Sequence, residues 1–360
     1  KNYTKISSQI KSFKPRYFVI NDFNVYMKIK KKYLKSKTKI IYKFENLKIN
    51  KFKFDISICA IVGIVGLEPT IKFSKISKKV LLANKESIIC GWHILKKICL
   101  QKKTEIIPID SEHFSIKELT KDYMNHDIEK IFITGSGGPF LRKPIKKFKN
   151  IKIKDAINHP NWSMGKKISV DSSTMMNKVL EVIEAYHLFP FDKKKYQIII
   201  HPQSLIHAIV FLKNGQSKLL FHEPDMRIPI ANALYDNKIN IRRFIKFKNK
   251  TNYKNFGDLK FENVDKKRFP IVTLLSEKIY KNSGAIILNA SNEVLVNEFL
   301  KKRLTFNSIY PSLKRVFKHK DFKKYAIKRS PNINEIYKID AWARHTTLKI
   351  VQNSNEKKNY

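Results

Sequence analysis

The sequence predicts an α/β fold: a parallel, doubly wound sheet at the start, a second strand region in the middle and a helical end. Three observations carry that reading. Short β-branched runs alternate with helix-length segments as far as about residue 110. A further set of strands follows between about residues 130 and 216, one of them ending in an Asn-Gly turn. From about Phe269 the apolar spacing becomes helical and stays so to the end.

In chain order, Tyr17–Ile20 reads as a strand after a short helix, and Ile58–Val62 as an apolar strand ending at Gly63. A helix starts at about Glu68. Val80–Ala83 is another strand, Asn84 opens a helix through about Leu100, and Ile106–Ile109 is a strand again. Ligands of such sheets bind beyond the carboxyl ends of the strands. Asn84-Lys85-Glu86 and Asp110-Ser111-Glu112 lie at that edge. Strands near Lys130–Ile133, Gln197–Ile200 and Ile206–Leu212 follow, the last closed by the turn Lys213-Asn214-Gly215-Gln216. Residues 242–268 are polar and basic and read as a surface linker. There is no internal repeat.

The chain has 360 residues, enough for two or three domains, and 42% hydrophobic content, that of a globular protein. Cys59, Cys90 and Cys99 are odd in number and lack metal-ligand spacing, which fits a reducing compartment. No apolar run reaches the roughly 18 residues of a membrane helix, and no signal peptide is expected. The formal net charge is +43, from 73 Lys and Arg against 30 Asp and Glu. Such an excess suits nucleic acid or an anionic membrane. Here it is mostly Lys, spread along the whole chain beside heavy use of Ile, Asn, Phe and Tyr, as an AT-rich genome would write it. Helicase, RNA-recognition and zinc-finger motifs are absent. The expectation is therefore no nucleic-acid partner and no membrane, with a field that attracts anionic substrates.

The most informative stretch is His159–Glu181. Gly165 marks a loop, and Asp171, Ser172, Ser173 and Thr174 are residue types that cap helix starts, so a helix is expected from about Thr174 to Leu188. On it Asn177 and Glu181 are four apart and Lys178 and Glu181 three apart, which puts amide, ammonium and carboxylate on one patch. Met175, Val179, Val182 and Tyr186 form its apolar stripe. A Ser-rich helix start beside a lysine suits a phosphate. If the chain stays extended at Asp110-Ser111-Glu112, the two carboxylates point the same way; with Glu181 they make a hard-oxygen site for Mg²⁺ or Mn²⁺. The glycines of Thr134–Pro139 allow close backbone approach, and Ser136 can donate to a phosphate. This loop has the spacing of neither a dinucleotide fingerprint nor a P-loop. His201 and His207 lack metal spacing and read as structural or supporting.

Seven runs, taken together and in order, closely resemble the 1-deoxy-D-xylulose 5-phosphate (DXP) reductoisomerase family. They are LLANKES (81–87), PIDSEH (108–113), TGSGGPF (134–140), HPNWSMGKKISVDSSTMMNK (159–178), HPQSLIHA (201–208), EPDMR (223–227) and NASNE (289–293). The resemblance covers essentially the whole chain. It implies an oxidoreductase and isomerase of non-mevalonate isoprenoid synthesis, with NADPH and a divalent metal, Mg²⁺ or Mn²⁺, Co²⁺ being a third candidate. Asp110, Glu112 and Glu181 would bind the metal. Lys85, Glu112 and His159 would be the catalytic residues, Lys85, Ser111 and Glu112 meeting the keto and hydroxyl end of the substrate. Ser136, Ser172, Asn177 and Lys178 would hold its phosphate, with His159 closing over it and Trp162 and Met164 on a flap. Gly165, Asn84, Glu86, Met226 and the pair Lys1-Asn2 would contact NADPH.

The implied architecture is a Rossmann-like NADPH domain over residues 1–113, a central catalytic α/β domain over 114–241, the 242–268 linker and a C-terminal helical domain over 269–360. A homodimer in a bacterial cytoplasm is expected, with an AT-rich reduced genome or a plastid-type origin as sources. The family's first strand and Gly-rich loop have no counterpart, and the chain begins with Lys1 rather than Met. The expectation is an N-terminally incomplete chain; the alternative is a decayed, non-catalytic relic unable to bind NADPH. Other departures are Ser173 for Ala, Val179 for Gly, His187 for Trp, His222 for Gly and Phe114-Ser115 for Asn-Ala.

Overall fold

The computed structural model describes residues 2–48, 51–245, 259–275 and 282–356. The chain divides into two compact units, residues 1–53 and 54–360. In the first, α1 (Tyr3–Phe13), β1 (Tyr17–Ile20), α2 (Phe23–Lys32) and β2 (Lys39–Tyr42) form a small parallel β-α-β unit. Asn2 and Asp22 cap the two helices, accepting from the amides of Lys5 and Val25 at 3.0 Å each. Ile10, Ile20 and Ile29 make the core of this unit.

The second unit opens with β3 (Phe54–Cys59), α3 (Leu67–Ser74), β4 (Ser77–Leu82), α4 (Lys85–Lys102), β5 (Glu105–Pro108) and α5 (Ser111–Thr120). Its three strands are all parallel, in the order β3-β4-β5. The strand expected at Ile58–Val62 in fact runs from Phe54 to Cys59. Ser57 hydrogen-bonds the Ser77 hydroxyl of β4 at 2.7 Å, while Ile61 and Val62 lie exposed in the loop beyond. Apolar content alone misplaced this strand, because a half-buried strand alternates its faces and Asp55 and Ser57 interrupt the apolar run.

Then come β6 (Ile128–Gly135), α6 (Ile153–Ile157), α7 (Lys166–Thr174), α8 (Met176–Leu188), β7 (Tyr196–Ile200), β8 (Ile206–Leu212), β9 (Ser217–Phe221), α9 (Arg227–Leu234) and β10 (Glu262–Asn263). These strands order as β10-β7-β6-β8-β9, with β6 and β7 parallel and the other pairs antiparallel. Gly215 sits at φ +85° in the β8–β9 turn, a conformation glycine adopts without strain. Within the stretch read as a linker, β10 pairs with β7, and Arg268 donates to the Phe140 carbonyl at 2.9 Å, so that part is built into the fold; residues 246–258 lie outside the described ones. The helices α10 (Gly284–Leu300), α11 (Ile309–Phe317), α12 (Phe322–Ala326) and α13 (Ile333–Glu356) complete the chain. The largest core joins α10, α11 and α13 to α3, α4, α7 and α8 through Leu67, Leu95, Val170, Leu180, Leu295, Leu313 and Ala343. Among the described residues, no helix is long and apolar enough to cross a membrane.

The helix expected from about Thr174 to Leu188 is present as α8, but the loop and cap expected just before it form a second helix, α7. Met175 adopts the left-handed conformation, φ 66°, and is at once the C-terminal cap of α7 and the N-terminal cap of α8. Asp171–Thr174 therefore form the last turn of one helix rather than the start of the next; only Thr174 helps there, accepting from the Met176 amide at 3.3 Å. Asp110-Ser111-Glu112 is likewise not extended: Asp110 precedes α5, whose first turn carries Ser111 and Glu112. Phe114, one turn on, fills a core with Leu81, Ile107, Ile109 and Ala233, which accounts for an aromatic ring beside the acidic triplet.

Candidate active site

The ends of β4, β5 and β6 and the start of α8 surround a cavity of about 250 Å³ in the second unit. Its floor is ionic. Asp110, Glu112 and Glu181 each bring a carboxylate oxygen within 4.8 Å of the others. Two ammonium groups lie among them. Lys178 donates to Glu112 and, at 2.7 Å, to Glu181. Lys85, at the first turn of α4, donates to Asn177 Oδ1 at 2.9 Å and to Asp110 at 3.4 Å. Asn177 in turn donates to Glu181, as the four-residue spacing predicts, and Ser111 donates to Glu112 at 2.5 Å. Gly135 makes room for this arrangement: a Cβ there would stand 3.1 Å from the Lys178 side chain.

Five charged groups in so small a volume shift one another. Burial works against both ammonium groups, but the surrounding carboxylates outweigh it, so Lys85 and Lys178 stay protonated. Burial, then the Glu181 charge, push the Glu112 carboxyl up to about 8. Asp110, although buried, is held well below the ordinary range by Lys85. Burial raises Glu181, with Lys178 opposing. Three carboxylates whose oxygens lie within 4.8 Å of one another form a hard-oxygen donor set that suits a divalent cation.

The opposite wall is made by the loop after β6 and by residues 159–165. His159 accepts at Nδ1 from the amides of Asn161 and Trp162, at 3.1 and 3.0 Å, so its neutral ring donates from Nε2 to Ser136 Oγ at 3.0 Å. Burial and then Lys178 lower its pKa to about 4, which keeps the ring neutral near pH 7. Ser136 also accepts from the Gly138 amide at 3.0 Å. Gly138, at φ +62°, packs so closely on α7 that a Cβ would lie 3.0 Å from the Ser172 carbonyl. Ser172, Trp162, Met164 and Met226 line the cavity with them.

The structure thus gathers Lys85, Asp110, Ser111, Glu112, Ser136, His159, Ser172, Asn177, Lys178, Glu181 and Met226 around one cavity. The remaining cofactor expectations fare differently. Asn84 caps α4, accepting from the Ser87 amide at 2.6 Å, and its amide straps the carbonyls of Ile61 and Gly63, the latter at 3.0 Å. Those bonds keep it within the fold rather than on the cavity wall. Glu86 is buried and faces Lys167 at 3.8 Å. Gly165 precedes α7, with open space where a Cβ would stand. Asn2 serves as the cap of α1 in the first unit, and Lys1 lies outside the described residues.

Sequence reasoning missed two features here. His113, one residue past the acidic triplet, is fully buried, with Nδ1 3.3 Å from Glu184 and Nε2 2.9 Å from the Glu181 carbonyl, so it props the backbone of a carboxylate of the floor. A second link runs from α10 to α7 and on to α4: Asn292 donates to Asp171 at 2.7 Å, Asp171 pairs with Lys167 at 3.0 Å, and Lys167 faces Glu86 at 3.8 Å. The spacing of Glu184 one turn after Glu181 could have signalled the first; the second joins residues too distant in sequence to be read.

Three family models match the chain. The one described as 1-deoxy-D-xylulose 5-phosphate reductoisomerase covers residues 1–91. Two C-terminal domain models of that enzyme cover residues 106–189 and 221–346. A 1-deoxy-D-xylulose 5-phosphate reductoisomerase of Pelagibacter ubique is 42% identical over 94% of this chain and 88% of its own length. One from Wolbachia sp. subsp. Drosophila simulans is 38% identical over 98% and 89%. Among solved structures, a DOX-P reductoisomerase in complex with NADPH, fosmidomycin and magnesium superposes with a TM-score of 0.87 at 31% identity, covering 97% of this chain and 89% of that one. The Zymomonas mobilis enzyme in complex with NADPH gives 0.85 at 29%, over 98% and 89%.

Proposed function

The chain belongs to the 1-deoxy-D-xylulose 5-phosphate reductoisomerase family, and from that premise we propose how its residues carry the reaction, the NADPH-dependent rearrangement and reduction of DXP to 2-C-methyl-D-erythritol 4-phosphate. The observation that carries the assignment is the convergence of Asp110, Glu112 and Glu181 at the floor of the cavity, opposite Ser136, His159 and Ser172.

The three carboxylates would hold Mg²⁺ or Mn²⁺. A cation there supplies Lewis-acid polarisation of the substrate's carbonyl and hydroxyl oxygens. It would also take over the counter-charge that Lys178 provides among these carboxylates, leaving Lys178, Asn177, Ser136 and Ser172 for the phosphate. Lys85 keeps its proton beside Asp110 and orients the keto end of the substrate with Ser111 and Glu112. His159, neutral and fixed by two backbone amides, covers the phosphate side through Ser136. NADPH supplies the hydride for the reduction. Met226, Ala83 and Met164 give the cavity an apolar side that suits a nicotinamide ring, and Gly165 leaves space at the head of α7 for close approach of the cofactor.

We assign the cofactor part to residues 1–113, the catalytic part to 114–241 and the helical part to 269–360. The separate three- and five-stranded sheets and the closing helices support that division of the second unit. A homodimer working in a bacterial cytoplasm completes the reading; the free cysteines and bacterial relatives support the compartment, and sedimentation would test the dimer. The direct test is NADPH oxidation with DXP and Mn²⁺, with the product identified as 2-C-methyl-D-erythritol 4-phosphate. Absence of DXP-dependent oxidation would overturn the proposal.

A further inference from the structure

We propose that His222 is a positioning residue for the substrate cavity, acting through a stacked imidazole pair that it forms with His207. The inference rests on the reading of the cavity as the DXP site.

His222 follows β9 directly, and its amide donates to the Leu205 carbonyl at 2.9 Å, which lays it beside the start of β8. The β8–β9 register shifts between Ile206 and Ile209, and His207 lies in that interval. The two rings stack with centroids 3.9 Å apart and planes 17° from parallel, closer than the ~4.5–7 Å of ordinary aromatic pairs. Each ring is also held by a backbone carbonyl: His207 Nε2 donates to the His222 carbonyl at 3.3 Å, and His222 Nδ1 to the Glu223 carbonyl at 2.7 Å. Those bonds fix which nitrogen of each ring carries a proton, and burial disfavours a second one on either ring. His222 Nε2 is then a buried lone pair without a hydrogen-bond partner, a poor place for a second proton.

Three parts of the cavity wall depend on this pair. His207 itself lines the cavity. Trp162 of the 159–165 segment meets His207 edge to face, at 6.0 Å and 70°. Met226 stands four residues past His222, at the head of α9, so the loop that the stack fixes also sets Met226. His222 is not among the residues lining the cavity. Its ring backs His207, and His207 backs Trp162. The resemblance expects glycine at this position, and glycine offers no ring for His207 to stack on.

The stack supports the substrate-covering wall and leaves the carboxylate floor untouched, so losing it should weaken substrate binding and spare the chemical step. The test compares the full chain with His222→Gly and His222→Phe, reading kcat and KM for DXP and, by calorimetry without turnover, the Kd of DXP. The glycine variant should raise KM and Kd about threefold to tenfold with kcat within about twofold; phenylalanine, which keeps a ring to stack, should restore most of the loss. If His222→Gly does not fold, His222→Asn is the ringless comparator. An unchanged KM and Kd in the ringless variant, a loss confined to kcat, or a phenylalanine variant no better than the ringless one would overturn the inference. Failure of the unsubstituted chain to bind DXP would instead remove the reading of the site on which it rests.

Discussion

Lys85 and Lys178 set the character of the site, because they put two fixed positive charges among carboxylates that burial would otherwise neutralise. Lys178 bridges Glu112 and Glu181, two of the three carboxylates proposed to hold a divalent cation. Glu181 is the hub: Asn177 and Lys178 both donate to it, and His113 holds its carbonyl. Glu181→Gln should therefore abolish metal-dependent turnover, a loss of at least about a hundredfold, and should remove the rise in Tm that Mn²⁺ gives the unsubstituted protein by binding only the folded state. Turnover near normal, or an undiminished Mn²⁺ effect on Tm, would take Glu181 out of the metal site. At this scale the sequence was legible where partners lie one helical turn apart, as with Asn177, Lys178 and Glu181. The bond from Lys178 to Glu112 spans two helices, and periodicity carries no information about it.

At the scale of elements, the break at Met175 decides where the polar groups of the 159–181 stretch point. Asp171–Thr174 were expected to cap the helix that carries Lys178; instead they close α7, and Lys178 enters the floor from α8. The break was hidden because Met175 is no turn residue: its left-handed backbone is imposed by packing, with the side chain only 1% exposed. The loop after β6 meets this junction at Gly138. Gly138→Ala would strain a backbone at φ +62° and press on the Ser172 carbonyl. Displacing Ser136 and Ser172 in this way should lower kcat/KM about tenfold or more, chiefly through KM; kinetics indistinguishable from those of the unsubstituted protein would show that the loop has slack there. Gly215, by contrast, was readable from sequence, because an Asn-Gly pair between strands has a local conformational cause.

At the scale of the second unit, the helices after residue 283 do more than close the core. Asn292 of α10 donates to Asp171, and Asp171 holds Lys167 at the head of α7, next to the loop that carries His159 and Trp162. Asn292→Leu would leave a buried carboxylate without that donor, a cost of about 1–3 kcal/mol. The expected result is a lower Tm and a raised KM for DXP, with the carboxylate floor still binding Mn²⁺. An unaltered Tm would deny α10 this part. The charge of +43 belongs to this scale as well: it sets the long-range field toward an anionic substrate rather than any contact.

The sequence by itself determined the α/β class and most of the strands, because strand alternation and turn chemistry are local properties of the chain; its polar motifs, and the family resemblance they carry, pointed to many of the residues that line the cavity. The tertiary structure decided which carboxylate meets which ammonium, where the 159–188 segment breaks, that Asn84 is held inside the fold, and that His222 lies against His207. Each of these depends on groups brought together from distant parts of the chain, where burial strengthens every charge and hydrogen bond and the strength of a contact depends on what surrounds it.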